Sequence, residues 1–254
     1  MNRVTSTAIV LQRRAYGDFD LIVTVLTEDQ GKRTLIAKSA KKSAKRFPGI
    51  LEPFNHLQIA FRETRRKGMP VLEEATLLHP MEGLRSDVVK TAYASYWAES
   101  IAIWMEEGQV REDLFDLLRF VLNALNGGDM EAAMISVLFQ MRFIGYEGLQ
   151  PVLAHCTCCQ LDIEQLPQNN FCIDLGKGGV VCNHCPTGAS GHLHLSKGTL
   201  KQLQWINSGD LIKARRMRFA PRALAEATAF LEAFVPYHIG KKPKSLRFLK
   251  QVRS

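Results

Sequence analysis

The first eighty residues contain short apolar stretches between polar, turn-prone pieces, which is typical of β-strands. Such stretches, rich in apolar and β-branched residues and separated by turn-prone pieces, cover residues 5–11, 21–27, 34–37, 57–61 and 71–78. Five short strands in about eighty residues fit a small barrel, and a partly open Greek-key barrel of this kind is the OB-fold. The pattern therefore predicts an N-terminal OB-fold over residues 1–80.

The apolar period then lengthens to three or four residues, which indicates helices. Val89, Tyr93, Trp97 and Ile101 repeat in this way, and a second run covers 114–125 and ends at Asn126-Gly127-Gly128. A third run covers 130–144, where Gly145 is a plausible C-cap. Residues 81–154 are therefore predicted to form the first part of a helical domain.

Helices resume after residue 190. Ser196 is predicted to cap a helix through Ile206, and Pro221 to open another that ends before Pro236. Amphipathic turns follow at 246–249. Residues 191–254 are thus predicted to complete the helical domain, and the segment 155–190 interrupts it.

The interrupting segment holds all six cysteines of the chain. Four of them form a C-x2-C…C-x2-C pattern, Cys156, Cys159, Cys182 and Cys185, and glycines at 176, 178 and 179 supply turns between the pairs. Two such pairs complete a closed tetrahedron around Zn2+, which makes the site structural. The predicted fold class is α+β: an OB-fold barrel, then an α-helical domain with an inserted four-cysteine zinc knuckle.

The cysteines also allow other readings. Three disulfides are one, but Met1 is followed by no secretory leader and the remaining 224 residues contain no cysteine, which favours a reducing cytoplasm. The ligand set is open as well, because Cys158 and His184 lie inside the two pairs, and His155 and Cys172 lie nearby. Cys158 and Cys172 are expected to be spare thiols.

Charge is segregated along the chain. Residues 1–80 carry 14 basic and 8 acidic residues, residues 81–150 carry 5 and 11, and residues 151–254 carry 14 and 6. The chain as a whole has a net charge of +8. Two basic ends flanking an acidic middle favour a polyanionic ligand, and nucleic acid is the first candidate.

The densest basic segment lies between the third and fourth predicted strands. Residues 38–49 contain five basic side chains and no acidic one, so we expect a mobile loop that binds phosphate without reading sequence. The pairs Arg13-Arg14 and Lys32-Arg33 would extend this patch. Four aromatic residues are close enough in sequence to stack on bases: Tyr16, Phe19, Phe47 and Phe54, although Phe19 and Phe54 are expected in the barrel core.

Other function classes have less support. No P-loop motif is present, and no apolar run reaches the eighteen or more residues of a membrane helix. Asp18 and Asp20 could hold Mg2+ in a nuclease, but no third carboxylate completes a recognisable arrangement. A zinc-ribbon scaffold that binds only protein is the other alternative.

The order of several short motifs resembles the RecO family of bacterial recombination mediators over nearly the whole chain. The motifs are Tyr16-Gly17-Asp18-Phe19-Asp20, Gly31-Lys32, Ala37-Lys38-Ser39-Ala40, Leu51-Glu52-Pro53-Phe54, Gly145-Tyr146, Pro151, Gly178-Gly179 and Lys244-Ser245-Leu246. The resemblance implies an OB-fold, a helical domain and a zinc-binding insertion.

The resemblance also implies a function. Proteins of this kind bind single- and double-stranded DNA, anneal complementary strands, engage single-strand-binding protein and, with RecR, help to load the recombinase, without catalysing a covalent reaction. Carried onto this chain, the metal positions are the four paired cysteines. The DNA-facing residues are Arg13, Arg14, Lys32, Arg33, Lys38, Lys41, Lys42, Lys45 and Arg46.

Overall fold

The structure is a computed structural model that describes residues 3–43, 46–64, 68–186, 193–208, 211–214 and 218–253. The chain divides into two compact units. One contains Met1–Gly127 together with Pro243–Ser254, and the other contains Gly128–Lys242. No helix among the described residues is long and apolar enough to cross a membrane.

Five strands form a closed barrel in the first unit. They are β1 (Arg3–Tyr16), β2 (Asp20–Thr27), β3 (Gly31–Ala37), β4 (His56–Arg62) and β5 (Val71–His79), in the order β1-β2-β3-β5-β4. The long β1 pairs with both β2 and β4, and all neighbours are antiparallel except β3 and β5, which meet at Ile36 and Val71. The five predicted strands are confirmed.

The barrel core includes part of the segment that follows β3. Val10, Val23 and Phe61 fill the interior, and Ala40 and Phe47 pack against the same cluster. We expected residues 38–49 to be a mobile loop with nothing to bury, and this is wrong for its apolar residues. Ala40 and Phe47 bury their side chains on the barrel, whereas Lys41 and Lys42 between them are exposed.

Three helices follow the barrel in the same unit: α1 (Glu82–Arg85), α2 (Val88–Trp104) and α3 (Glu112–Gly127). The Asp87 carboxylate caps α2 by accepting hydrogen bonds from the backbone N–H groups of Val89 and Lys90. Trp97 is fully buried, as its place in the apolar repeat predicts. Gly128 adopts a left-handed conformation directly after α3, which ends that helix where the sequence predicted.

In its described residues, the second unit combines four α-helices with a small antiparallel sheet. The helices are α4 (Ala132–Tyr146), α5 (Lys197–Ser208), α6 (Leu211–Ala214) and α7 (Pro221–Ile239). The sheet has the order β7-β6-β8, with β6 at Asn170–Asp174, β7 at Gly179–Val181 and β8 at Leu193–Ser196. The Ser196 hydroxyl accepts a hydrogen bond from the Thr199 N–H, so its predicted capping role is confirmed.

The prediction that a helix ends before Pro236 is wrong, because α7 continues to Ile239. Proline lacks the N–H that would bond one turn back, yet the last turn is held by ring packing between Phe234 and His238, whose centroids are 4.1 Å apart. Gly240 then caps the helix with φ at 74°.

The chain returns to the first unit in its last helix, α8 (Lys244–Arg253), which packs on α2. Glu99 on α2 caps α8. Its carboxylate accepts hydrogen bonds from the backbone N–H groups of Lys244 and Ser245, at 3.0 and 2.8 Å, and from the Ser245 hydroxyl. A side chain 145 positions earlier in the chain therefore fixes the start of this helix.

Candidate metal centre and basic groove

The four paired cysteines meet at one point in the second unit. The Sγ atoms of Cys156, Cys159, Cys182 and Cys185 all lie within 4.8 Å of one another, and the Cys159 and Cys182 sulfurs are 3.8 Å apart. Sulfurs bound to one tetrahedral zinc ion at about 2.3 Å are themselves separated by about 3.8 Å. The cluster therefore has the dimensions of a four-thiolate metal site.

Two turns present these sulfurs. The Gln160 N–H bonds to the Cys156 carbonyl and Gln160 adopts a φ of 64°, while the Cys185 N–H bonds to the Cys182 carbonyl. Residues beside the first turn pair with β7, since the Thr157 N–H donates to the Val180 carbonyl at 2.8 Å. These backbone bonds bring together two pairs that are far apart in sequence.

A close backbone approach supports the same arrangement. Gly179 begins β7 beside Val152, and the Val180 N–H donates to the Val152 carbonyl at 2.9 Å. A Cβ atom at Gly179 would lie 2.2 Å from the Val152 carbonyl oxygen, so only glycine fits there. This glycine is therefore required for the strand pairing behind the cysteine pairs.

The thiols perturb one another. Burial opposes ionisation of Cys156, but hydrogen bonds from nearby backbone N–H groups, including those of Cys159 and Cys182, outweigh it and lower the pKa of that thiol to about 6. Hydrogen bonding with Cys182 raises the pKa of the Cys185 thiol. The protein alone thus stabilises one thiolate at this point, and a bound cation would stabilise the others.

The alternative ligands lie outside this cluster. Among the described residues, the group close enough to share one ion includes none of Cys158, Cys172, His155 and His184. The Cys158 thiol is exposed and accepts a hydrogen bond from the Lys177 ammonium at 3.1 Å, whereas Cys172 is buried in β6. The geometry favours the four-cysteine ligand set.

An open groove of about 700 Å3 runs beside the barrel in the first unit. It lies between the end of β1 and the segment after β3. Four of the predicted DNA-facing residues line it: Arg13, Arg14, Lys41 and Lys42. All four are exposed, and Arg13 also forms an ion pair with Glu52 at 2.8 Å. The groove therefore collects basic side chains from the end of β1 and from the segment after β3.

Hydrogen bonds join the segment after β3 to the turn between β1 and β2. The Lys41 N–H donates to the Phe19 carbonyl at 3.0 Å, and the Lys41 ammonium donates to the Gly17 carbonyl at 2.8 Å. The Ser39 N–H bonds to the Asp20 carboxylate at 2.7 Å. The basic segment is thus anchored to the β1–β2 hairpin and is not a free arm.

Lys32 and Arg33 have other roles. The Lys32 ammonium donates hydrogen bonds to the carbonyl oxygens of Ala102 and Met105 at the end of α2, where a cation also complements the helix dipole. Arg33 forms an ion pair with Glu63 and lies over the Phe61 ring, with only 18% of its side chain exposed. Neither residue lines the groove.

The remaining basic candidates are neighbours in sequence of the groove residues Lys41 and Lys42. Lys38 and Arg46 are exposed, and the Arg46 guanidinium donates to the Lys38 carbonyl at 2.6 Å. Lys45 lies outside the described residues.

The exposure of the four aromatic candidates differs in part from what the sequence predicted. Phe54 is buried, as expected, but Phe19 is 43% exposed and not in the core. Phe47 is buried and so unavailable to a ligand, whereas Tyr16 is 51% exposed. A sequence pattern could not separate these cases, because each aromatic lies at a loop where burial depends on distant strands.

The fold and the cysteine centre define a mixed α+β protein with a five-stranded barrel, a helical part and a cluster of four cysteines that lie close enough to hold a metal ion. Residues 1–81 match the family described as Recombination protein O N terminal, and residues 85–247 match Recombination protein O C terminal. The chain belongs to the RecO family, which confirms the resemblance found in the sequence.

Full-length relatives support this assignment. The chain is 42% identical over 254 residues to the DNA repair protein RecO of Desulfatibacillum aliphaticivorans, covering 100% of this chain and 98% of the relative. It is 41% identical to the protein of the same name from Desulfosudis oleivorans, covering 98% of both chains. The corresponding protein of Anaeromyxobacter sp. strain K is 33% identical and covers 99% of this chain and 98% of its own.

Proposed function

We propose that this protein is a DNA-binding recombination mediator of recombinational DNA repair. It binds single- and double-stranded DNA, anneals complementary strands and, with RecR, helps to load the recombinase onto strands coated with single-strand-binding protein. Family membership and the name shared by the relatives, DNA repair protein RecO, support the pathway. The single observation that carries the binding proposal is the basic groove beside the barrel.

The barrel is proposed to be an OB-fold. A strand order of β1-β2-β3-β5-β4 with a parallel contact between β3 and β5 is the topology of that fold. The OB-fold is proposed to cover residues 1–80. A helical domain follows in two parts, 81–154 and 191–254, and the zinc insertion at 155–190 lies between them in the sequence. OB-folds bind single strands with a basic groove that follows the backbone and with aromatic side chains that stack on bases.

The proposed DNA contacts are the basic residues near the end of β1 and in the segment after β3: Arg13, Arg14, Lys38, Lys41, Lys42, Lys45 and Arg46. Their charges neutralise phosphates and release condensed counterions, which requires no particular base sequence. With its backbone held in this way, a strand keeps its base edges available. The same charges reduce the repulsion between two strands as they approach. Annealing on this surface needs no nucleotide hydrolysis.

The cysteine centre is proposed to hold a structural Zn2+. Four cysteine sulfurs within 4.8 Å of one another suit zinc far better than magnesium or calcium, which take oxygen ligands. With all four positions filled by protein, no open coordination site is left for a substrate. The zinc would stabilise the turns, and no reaction step is assigned to it. Thiolates of this kind are maintained in a reducing cytoplasm, which is the proposed location.

The nuclease alternative has little structural support. The Asp20 carboxylate accepts the hydrogen bond from the Ser39 N–H. Among the described residues, Asp18 and Asp20 belong to no group of three or more ligands that could hold a metal ion. We therefore propose no catalytic residues.

An annealing assay tests the proposed function. Complementary strands coated with single-strand-binding protein are mixed with the protein, with and without a zinc chelator and RecR. We expect faster annealing that weakens steeply between low and physiological salt. Absence of annealing at low salt would contradict the mediator, and loss of strands on adding Mg2+ would support the nuclease. Binding to partner proteins without any DNA binding would support the scaffold.

A further inference from the structure

An exposed aromatic ring lies beside the basic groove, at the tip of the β1–β2 hairpin. Phe19 is 43% exposed, although a phenylalanine in this position gains nothing from the barrel core. The Lys42 ammonium, from a residue that lines the groove, lies 3.5 Å from the centre of the Phe19 ring. A cation over the face of an aromatic ring is attracted by the electrons of that face.

The position of this ring is fixed by the neighbouring loop. The Phe19 carbonyl accepts the Lys41 N–H at 3.0 Å, and the adjacent Asp20 carboxylate accepts the Ser39 N–H at 2.7 Å. The Lys41 ammonium bonds to Gly17 on the other side of the hairpin tip. Phe19 and Lys42 are therefore held next to each other by contacts that do not involve either side chain.

We propose that Phe19 is a base-stacking residue of the groove and that Lys42 covers its ring until a strand binds. This inference rests on the proposed DNA binding and adds the chemistry of the ligand to it. A phosphate carries a full negative charge and attracts the lysine ammonium more strongly than the ring does. When the ammonium moves to a phosphate of the strand, the ring face is released for a base.

This movement of Lys42 from the Phe19 ring to a phosphate makes the groove selective for single strands. An unpaired base can turn out of its own stack and lie on the ring, whereas a base in a duplex remains between its neighbours. Every base has an aromatic face, so the contact requires no sequence. Duplex DNA would still bind through its phosphates, without the contribution of Phe19.

The test is Phe19→Leu, which keeps an apolar side chain and removes the aromatic face. The matched control is Phe248→Leu on α8, because Phe248 is 44% exposed and belongs to the same unit. Affinity is measured for oligothymidylate, for an abasic strand of the same length and for a duplex. We expect Phe19→Leu to bind oligothymidylate about 5- to 100-fold more weakly. Its binding to the abasic strand and the duplex, and all binding by Phe248→Leu, should not change.

A second variant tests the cover. Lys42→Met removes a phosphate contact, so it should weaken binding to the abasic strand as well and reduce the salt slope by about 0.7. Phe19→Leu should leave that slope unchanged, since it removes no charge. The two side chains contact each other, so their effects should not be independent. In the double variant, the loss of affinity for oligothymidylate should therefore differ from the product of the two single losses.

The outcomes separate this inference from the proposed function. If the unmodified protein binds all three ligands but Phe19→Leu binds oligothymidylate equally well, base stacking by Phe19 is contradicted and DNA binding stands. An equal loss on the abasic strand, or in Phe248→Leu, would also contradict it, because neither result depends on a base on this ring. If the unmodified protein binds none of the ligands at low salt, both proposals fail.

Discussion

The cysteine centre and the basic groove both join separate parts of the chain, but they differ in the precision that their ligands demand. Four sulfur atoms from residues up to 29 positions apart lie within 4.8 Å of one another, held by backbone bonds and by a glycine that no other residue can replace. The groove spreads its charges over an open volume of about 700 Å3.

This difference follows from the ligands. A thiolate site is defined by distances of about 2.3 Å, so each ligand is indispensable and its sequence spacing is constrained. Phosphates are bound by the sum of many charges, so individual lysines contribute modestly and their positions can vary. A single substitution should therefore abolish the first site but only weaken the second.

The largest expected effect comes from the centre. Cys182→Ser should remove metal binding and destabilise the surrounding turns, because structural zinc in finger peptides contributes about 10–16 kcal/mol to folding. Metal content by mass spectrometry and hydrogen exchange over residues 152–181 measure both effects. Cys158→Ser is the matched control, since that thiol lies in the first of the two cysteine turns but outside the cluster. Full metal content in Cys182→Ser would contradict the four-cysteine site.

The same variant sharpens the comparison between the two regions. The proposed DNA contacts all lie in the other unit, so Cys182→Ser should retain the affinity of the groove for single strands. Loss of DNA binding in a variant whose barrel remains folded would show that the cysteine region contributes to the binding surface.

A smaller effect is expected from a triple substitution in the groove. Alanine at Arg14, Lys41 and Lys42 removes three phosphate contacts, which should weaken single-strand binding at 0.1 M salt by about 100-fold and flatten the salt dependence. The matched control removes the same charge elsewhere, at the exposed residues Lys241, Lys242 and Arg247. Equal losses in both variants would indicate that net charge, and not the groove, determines affinity.

Acid should weaken the two units in different pH ranges. In the barrel-containing unit, burial, with smaller contributions from His79 and Arg119, lowers the pKa of His56 from 6.5 to about 4. Protonation therefore favours the unfolded chain, and stability present above pH 6.5 should fall by up to about 3 kcal/mol as the pH drops towards 4.

Urea unfolding of a Trp205→Phe variant measures this loss, because the remaining tryptophans, Trp97 and Trp104, lie in the same unit as His56. His56→Phe should remove the pH dependence over this range. An equal acid loss in His56→Phe would show that another group is responsible.

The second unit contains an acid-sensitive group with a lower range. Despite burial, hydrogen bonds from Ser196, Thr199 and Arg222 lower the pKa of the Glu226 carboxyl from 4.5 to about 2. Its contribution is complete above pH 4.5 and is lost as the pH falls from there towards 2.

The smallest expected effect separates Lys32, which contacts α2, from the lysines that are proposed to bind DNA. Lys32→Met removes the hydrogen bonds to the Ala102 and Met105 carbonyls, which should lower the free energy of unfolding by about 1.5 kcal/mol. DNA affinity should not change, because Lys32 does not line the groove. A clear loss of affinity in the folded variant would return Lys32 to the binding surface.

Local patterns predicted the elements of this protein well. The five strands follow from short apolar and β-branched stretches, the cap at Ser196 from capping chemistry and the end of α3 from glycine, all of which act within a few residues. The strand β8 was missed, because four residues are too few for a recognisable alternation and its pairing with β6 is not local. The continuation of α7 through Pro236 depends likewise on ring packing.

The clustering of the four cysteines was predictable because their spacing is part of the sequence. The basic residues that line the groove were predictable only in part. Lys32 and Arg33 are basic like the groove residues, but Lys32 bonds to the end of α2 and Arg33 pairs with Glu63. Phe19 and Phe47 were placed incorrectly for the same reason. What decides each role is a partner far away in the chain.

The capping of α8 by Glu99 has a consequence for how the chain folds during synthesis. The barrel-containing unit includes Pro243–Ser254, so the ribosome must produce the whole of the second unit before the first can be completed. Until then the Glu99 carboxylate lacks Lys244 and Ser245, and the face of α2 that packs on α8 is uncovered. The second unit, Gly128–Lys242, can therefore finish folding before the barrel-containing unit, although most of the barrel-containing unit is synthesised first.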